Sequence, residues 1–329
     1  MWGTWGKIAA LALLVTACSG SGDGSTDTGK GDDDGGKPRS GDFTMLSYNV
    51  AGLPQEISTV HPKDHIPLIS PLLDEYDVVV TQEDFDWWRP ALDGFDFVHY
   101  HERLRAEATQ PHKTAQYPGP EATGVDLAKR PELQVGDGLG VLSRFPFSDE
   151  ARVPWDGCFG GFTGPGAADC LSAKGFAMVR LELADGVEVD LYTLHAEAGG
   201  SAEDQQLQAD DFAQLADYMT AHSQGRAIIV GGDTNLHTDS DHPDASGDAD
   251  DEIWAKFLAD TGLTDACDAT KCPETDSIDK IAYRSGAGQE DVTLKATDHE
   301  FPRDRFKDPA GDDLSDHPPL VVAFHWSAP

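Results

Sequence analysis

Basic residues are scarce in this chain, and their scarcity limits what the protein can bind. Lysine and arginine together number 24, against 59 aspartates and glutamates, so the formal net charge is -35 at pH 7. Such a surface repels polyanions, whereas attraction between basic side chains and phosphates supplies most non-specific affinity for nucleic acid. A long nucleic acid is therefore a poor candidate substrate. Solubility, or a saline habitat, is an alternative reason for the acidity.

The N-terminal apolar run, residues 8–15, is too short to span a bilayer as a stable helix. It follows Lys7 and leads into small residues, which is the arrangement of an export signal. The sequence Val15-Thr16-Ala17-Cys18 resembles the lipobox of bacterial lipoproteins. We therefore expect residues 1–17 to be a lipoprotein signal peptide and Cys18 to carry the lipid. A plain secretory signal with an incidental cysteine is the alternative.

Large apolar residues are also missing from residues 19–41, which consist mostly of Gly, Ser, Asp and Thr. Such a segment cannot bury enough surface to offset the entropy of ordering it. We expect a flexible tether at 18–41 and a catalytic domain at 42–329. The protein should be an exported monomer, anchored by its lipid to the outer membrane or cell surface, or released from it.

Cysteines are few, and none forms a CxxC pair. Once Cys18 is set aside, four remain, and an even number in an exported chain predicts two disulfides. Among the three connectivities we favour the local one, Cys158 with Cys170 and Cys267 with Cys272. A zinc site is the alternative, although no histidine lies close to these cysteines in sequence.

Strand-length apolar runs separated by turn residues recur along the rest of the chain. They occupy residues 43–50, 77–83, 139–143, 176–183, 187–195, 227–233, 278–284 and 320–326. Helical periodicity appears over residues 202–222 and, more briefly, over residues 253–258. Strands mixed with helices predict an α/β domain.

Several of these strands carry polar residues that a fold would not require. Asn49, Glu83, His195 and Asp233 lie at strand ends, and Asp279 lies within the strand-like run 278–284. Singly, each residue has a structural explanation, such as a turn or a satisfied buried histidine. Together they indicate one cleft.

The residue types in this cleft suit a hard divalent cation. Mg²⁺ takes carboxylate, amide and water oxygens, and Mn²⁺ or another divalent ion is the alternative. Hydrolysis of a phosphodiester needs a cation to neutralise developing charge, a base to activate water and a donor for the leaving oxygen. Two histidines beside carboxylates can supply the last two functions, since imidazole titrates near neutral pH.

Seven sequence blocks, in order, resemble the motifs of the endonuclease/exonuclease/phosphatase superfamily. The blocks are LSYNVAG, VVVTQEDFD, LGVLSRFP, YTLHAE, IIVGGDTNLH, IDKIAYR and LSDHPPLVVAF. The resemblance implies a deoxyribonuclease-like four-layer α/β sandwich, in which two mixed β-sheets pack face to face and are flanked by helices. Lys280 and Thr234 depart from the commoner residues of their blocks, which bears on substrate class more than on chemistry.

The same resemblance implies site residues. The implied metal-site residues are Asn49, Glu83, Asp233, Asn235 and Asp316. The implied catalytic residues are His317, His195, Asp279, Asp233 and Asn235. His317 is similar to the general base and Asp279 to the carboxylate that orients it. Asp233 and Asn235 resemble the pair that holds the phosphate and the attacking water, and His195 resembles a phosphate-binding or leaving-group histidine.

Two shorter blocks resemble bacterial-type neutral sphingomyelinases. They are Glu83-Asp84-Phe85-Asp86 and the stretch CLSAKGF at residues 170–176. The resemblance implies a sphingomyelinase or phospholipase C-like phosphodiesterase acting on a phospholipid. A secreted deoxyribonuclease-like nuclease and a catalytically silent surface binding protein on the same fold are the alternatives. Retention of the whole set of polar cleft residues argues against the silent protein.

Overall fold

The computed structural model describes residues 39–89, 94–238, 249–287 and 292–329. The signal peptide, Cys18 and nearly all of the tether lie outside these ranges, so those assignments stay predictions, as does the domain boundary at residue 42. Within the described ranges, no helix is both long enough and apolar enough to cross a membrane.

Twelve strands and five helices are present in the described residues. The strands are β1 (Arg39–Asn49), β2 (Val78–Gln82), β3 (His112–Lys113), β4 (Gly140–Ser143), β5 (Phe147–Pro154), β6 (Gly175–Ala184), β7 (Val187–His195), β8 (Ile228–Asp233), β9 (Thr264–Asp265), β10 (Asp279–Arg284), β11 (Thr293–Glu300) and β12 (Leu320–Ala328). The helices are α1 (Pro62–Leu73), α2 (Tyr100–Leu104), α3 (Ala202–His222), α4 (Asp250–Thr261) and α5 (Ala266–Thr270).

The strands form two six-stranded sheets. The first has the order β11-β12-β1-β2-β4-β3 and the second β5-β6-β7-β8-β10-β9. In each sheet one central pair is parallel, β1 with β2 and β7 with β8, while the other pairs are antiparallel. Both sheets are therefore mixed, as the sequence predicted.

The apolar residues of the chain divide into layers. One cluster takes side chains from both sheets, for example Met45 and Val80 from the first and Val189 and Ile229 from the second, so the sheets pack face to face. A second cluster joins the outer face of the second sheet to α3 and α4, and a third joins the outer face of the first sheet to α1 and α2. The predicted four-layer sandwich is confirmed.

Local sequence explains the principal elements. All five residues of β2, Val-Val-Val-Thr-Gln, are buried, as expected for a β-branched run in a central strand. Helix α3 begins with a capping box, in which Ser201 accepts from the Asp204 amide and the Asp204 carboxylate accepts from the Ser201 amide. Helix α4 ends at Thr261 and is followed by Gly262, whose left-handed conformation favours glycine.

Candidate active site

The two parallel strand pairs bring polar side chains together at their carboxyl ends. Asn49 is the last residue of β1, and Glu83 directly follows β2. His195 and Asp233 are the last residues of β7 and β8 and lie opposite each other in register. Asp279 begins β10 and faces Asp233 across the antiparallel pair. The five residues that the sequence placed on or just beyond strands therefore meet at one end of the sandwich.

Asn49 links the two sheets at this point. Its side-chain NH₂ donates to Glu83 Oε1 at 3.1 Å and to Asp233 Oδ2 at 3.0 Å. One amide thus stands between two carboxylates from different sheets. Ser315, in the loop before β12, donates to the Asn49 carbonyl at 2.7 Å and so fixes the loop that carries His317.

Two histidines approach the carboxylate of Asp233. His195 Nε2 lies 3.2 Å and His317 Nε2 lies 3.7 Å from Asp233 Oδ2. His317 Nδ1 lies 2.9 Å from Asp279 Oδ2. A carboxylate bound to Nδ1 favours the tautomer that carries its proton there, which leaves Nε2 free to accept a proton. The Asp279–His317 pair has the geometry of an oriented general base.

The pKa values of the two imidazoles are shifted in opposite directions. Burial disfavours the charged form of His317, but the carboxylates of Asp279 and Asp233 outweigh it and raise the pKa of His317 to about 10. Burial, with the nearby Lys174 charge, lowers the pKa of His195 to about 3 although Asp233 opposes this. At neutral pH His195 is a neutral hydrogen-bonding group, whereas His317 binds a proton tightly as long as the carboxylates beside it are unneutralised.

Asn235 and Asp316 occupy different positions relative to this group. The backbone N–H of Asn235 donates to Asp233 Oδ1 and its side-chain NH₂ donates to the Ala196 carbonyl, both at 3.0 Å, so Asn235 lies in the cleft. Asp316 is exposed and accepts from Thr59 Oγ1 at 2.7 Å. Among the bonds of the described residues, none joins Asp316 to the other predicted metal-site residues, and its role as a ligand stays a prediction.

Lys174 is not among the site residues that the sequence predicts, although it lies in the CLSAKGF block at residues 170–176. Lys174 is buried, forms an ion pair with Asp169 and donates to the Ala196 carbonyl at 3.2 Å. Burial opposes the charge on Asp233, but His317 and, to a smaller extent, Lys174 lower the pKa of that carboxyl. The resemblance of CLSAKGF to sphingomyelinases was the one sequence feature that pointed to Lys174. It was not decisive, because a turn into β6 also explains Lys-Gly at this position.

The donor set fits a hard divalent cation. The carboxylates of Glu83 and Asp233 share one neutral NH₂ group, and Asp279 Oδ1 is buried without a hydrogen-bond partner among the described residues. Ligand atoms of Asp233, Asp279 and His317 lie within 4.8 Å of one another. Such oxygen-rich sites suit Mg²⁺ or Mn²⁺.

Both predicted disulfides are confirmed. Cys158 is bonded to Cys170 and Cys267 to Cys272, with Cα–Cα distances of 5.2 and 4.8 Å. His299, although distant in sequence, brings a ligand atom within 4.8 Å of the second pair. Since those two sulfurs are bonded to each other, they are not available as thiolates, and the zinc alternative is wrong for this state of the protein.

Known proteins similar to this chain include sphingomyelinases of two mycobacteria. A sphingomyelinase of Mycobacterium tuberculosis is 32% identical over 305 residues, which cover 88% of this chain and 54% of the relative. A sphingomyelinase of Mycobacterium bovis matches equally well. The chain thus spans about half the length of these relatives.

Solved structures share the fold at low sequence identity. A Staphylococcus aureus beta toxin variant with bound magnesium ions has a TM-score of 0.58 at 17% identity, covering 86% of this chain and 99% of the toxin. Sphingomyelinase C from Streptomyces griseocarneus has a TM-score of 0.55 at 20% identity, with coverage of 86% and 99%. The model of the endonuclease/exonuclease/phosphatase family matches residues 46–317, which contain every candidate site residue. The chain belongs to the endonuclease/exonuclease/phosphatase family.

Proposed function

We propose that this protein is a divalent-metal-dependent phosphodiesterase that hydrolyses a phospholipid in the manner of a sphingomyelinase. One observation carries the proposal: His317, paired with Asp279, faces Asp233 and His195 where the parallel strands of both sheets end. The similarity to mycobacterial sphingomyelinases supports the lipid substrate.

His317 acts as the general base in this proposal. Its Nε2 takes a proton from water while the hydroxyl oxygen forms the new bond to phosphorus. The bond from phosphorus to the leaving oxygen breaks, and that oxygen regains a proton from solvent. Asp279 holds the ring by its Nδ1 at 2.9 Å and stabilises the imidazolium that forms.

His195, Asn235 and Lys174 bind and position the phosphoryl group. Because burial lowers the pKa of His195 to about 3, its ring adds no charge to the cleft, and its Nε2 lies 3.2 Å from Asp233 Oδ2. The Asn235 backbone has φ of 50°, a left-handed conformation held by its bonds to Asp233 and Ala196. The buried ammonium of Lys174, which is paired with Asp169, offsets part of the negative charge of Asp233.

The metal-site residues are Glu83, Asn49 and Asp233, with Asn235 and Asp316 as further candidates, and Mg²⁺ is the expected ion. When it is bound, positive charge held by these ligands neutralises charge developing on the phosphoryl oxygens and disfavours the imidazolium of His317. Asn49 would offer its side-chain oxygen, which accepts from the Ala51 amide at 3.0 Å and has a second lone pair.

One experiment tests this function. Purified protein without its first 17 residues is offered vesicles of sphingomyelin or phosphatidylcholine, plasmid DNA and an inositol phosphate, each with Mg²⁺ or with a chelator. We expect release of the phosphorylated head group from sphingomyelin vesicles with Mg²⁺ alone. Cleavage of plasmid DNA with no lipid hydrolysis would favour the nuclease, and no turnover of any substrate would favour the silent binding protein.

We also propose that lipidated Cys18 and the tether hold the catalytic domain at the cell envelope, within reach of a lipid surface. The proposal is supported by the lipobox-like residues 15–18. Replacement Cys18→Ser should move the protein from the membrane fraction to the soluble fraction after cell lysis. Equal membrane partition of both forms would reject the anchor.

A further inference from the structure

Glu83 has an unusual backbone for a residue that must place a carboxylate. Its φ is 54°, in the left-handed region that non-glycine residues rarely adopt. Two neighbouring glycines pack tightly against this backbone. A Cβ on Gly52 would lie 2.2 Å from the Glu83 carbonyl oxygen, and one on Gly138 would lie 3.0 Å from the Glu83 Cα. The conformation therefore depends on the surrounding structure.

The next residue, Asp84, anchors this turn. Its backbone N–H donates to the Gly138 carbonyl at 2.9 Å. Its carboxylate is buried, and Oδ2 accepts from Thr81 Oγ1 at 3.1 Å. A buried carboxylate is tolerated only with strong partners, and two come from another element.

Those partners lie on or beside helix α2. Arg105 Nη1 lies 2.5 Å from Asp84 Oδ2, and His101 Nδ1 lies 2.9 Å from Asp84 Oδ1. Helix α2 is itself fixed because Tyr100 and Leu104 are buried in the cluster beneath the first sheet.

We propose that Arg105 and His101 are positioning residues for the divalent cation. By holding Asp84 they keep Glu83 in its left-handed conformation, with its carboxylate beside Asn49 and Asp233. This inference rests on the proposed function, in which Glu83 is a metal ligand. Partners that orient a metal ligand typically change metal affinity by about 10- to 100-fold when removed.

The test uses Asp84→Asn, which keeps the size of the side chain and removes the charge that Arg105 binds. Mg²⁺ and Mn²⁺ affinities are measured by calorimetry without substrate, on protein shown to be folded by circular dichroism. We expect a loss of affinity of about 10- to 100-fold, and recovery of turnover at saturating Mg²⁺. Arg105→Lys, which keeps the charge but not the guanidinium geometry, should weaken binding in the same direction and serves if Asp84→Asn does not fold.

Asp190→Asn is the matched control. Asp190 is also buried, and its carboxylate lies 2.8 Å from Arg180. It lies opposite Ile228, the first residue of β8, whereas the candidate site lies at the last residue of that strand. We expect a lower unfolding temperature and unchanged cation affinity. If a folded Asp84→Asn or Arg105→Lys protein also keeps wild-type affinity, Asp84 and α2 support the fold only and the inference is wrong. If wild-type protein binds no divalent cation, the proposed function fails instead.

Discussion

Replacing Asp279 with asparagine tests the Asp279–His317 pair, because the substitution keeps the shape of the side chain and removes its charge. The carboxylate lies 2.9 Å from His317 Nδ1 and both groups are mostly buried. Two unit charges about 4 Å apart interact by roughly 4 kcal/mol at an effective dielectric constant near 20. That energy corresponds to about three pKa units.

The direction of the pH effect follows from the sign of this interaction. Asp279 favours the charged imidazolium and helps to raise the pKa of His317 to about 10, so its loss lowers that pKa. A base with a lower pKa is deprotonated at lower pH, so the acidic limb of the kcat/KM profile should move to lower pH. The plateau should fall about 100-fold, at the lower end of the 10²- to 10⁴-fold contribution of a general base.

The assay is a pH–rate profile on sphingomyelin vesicles at saturating Mg²⁺, from about pH 5 to about pH 10, with the unfolding temperature of each variant as the control. If the variant is folded, and its acidic limb lies at lower pH and its plateau is lower, the assignment of Asp279 and His317 is supported. A plateau within about two-fold of wild type and an unmoved acidic limb would refute the assignment of His317 and Asp279.

Three further predictions concern other residues of the site. Because burial keeps His195 neutral, His195→Ala should lose a similar factor on sphingomyelin and on a nitrophenyl phosphodiester; a loss confined to the lipid would instead show that His195 protonates the leaving oxygen. Burial, followed by the charge of Asp169, raises the pKa of Glu197 from 4.5 to about 8. The free energy of unfolding should therefore be highest below about pH 4.5 and should fall as pH rises through 8, by at most about 1.4 kcal/mol per pH unit. Glu197→Gln should remove this decline when the free energy of unfolding is measured by chemical denaturation at several pH values. The same decline with pH in the variant would contradict the prediction. Replacing Cys158 and Cys170 together with serine should lower the free energy of unfolding by about 3 kcal/mol, from loop entropy, and no change in urea midpoint would count against this.

The sequence was sufficient to predict the elements that carry the site. Strands β2, β7 and β8 and the second half of β1 are largely buried apolar runs. Each ends at or just before a polar residue, so the convergence of Asn49, Glu83, His195 and Asp233 could be anticipated. Helix α3 was predicted with the bounds that it has, because its apolar residues recur on one face. The shorter helical periodicity predicted over residues 253–258 is part of the longer helix α4.

Other elements gave no usable signal. Strands β5 and β11 are edge strands with mostly exposed or half-buried residues, so they lack apolar runs. Helix α1 contains Pro67 and Pro71, which normally argue against a helix interior. The contacts of Asp84 with His101 and Arg105 depend on how α2 packs, and no sequence pattern links them.

The most direct test of the central claim is the release of phosphorylated head group from sphingomyelin vesicles by the wild type and by His317→Ala, each with Mg²⁺ and with excess chelator. The proposed mechanism predicts turnover by the wild type only with Mg²⁺, and a loss of about 10²- to 10⁴-fold in kcat for His317→Ala with KM nearly unchanged. Undiminished turnover in chelator, or a His317→Ala rate close to that of the wild type, would contradict it.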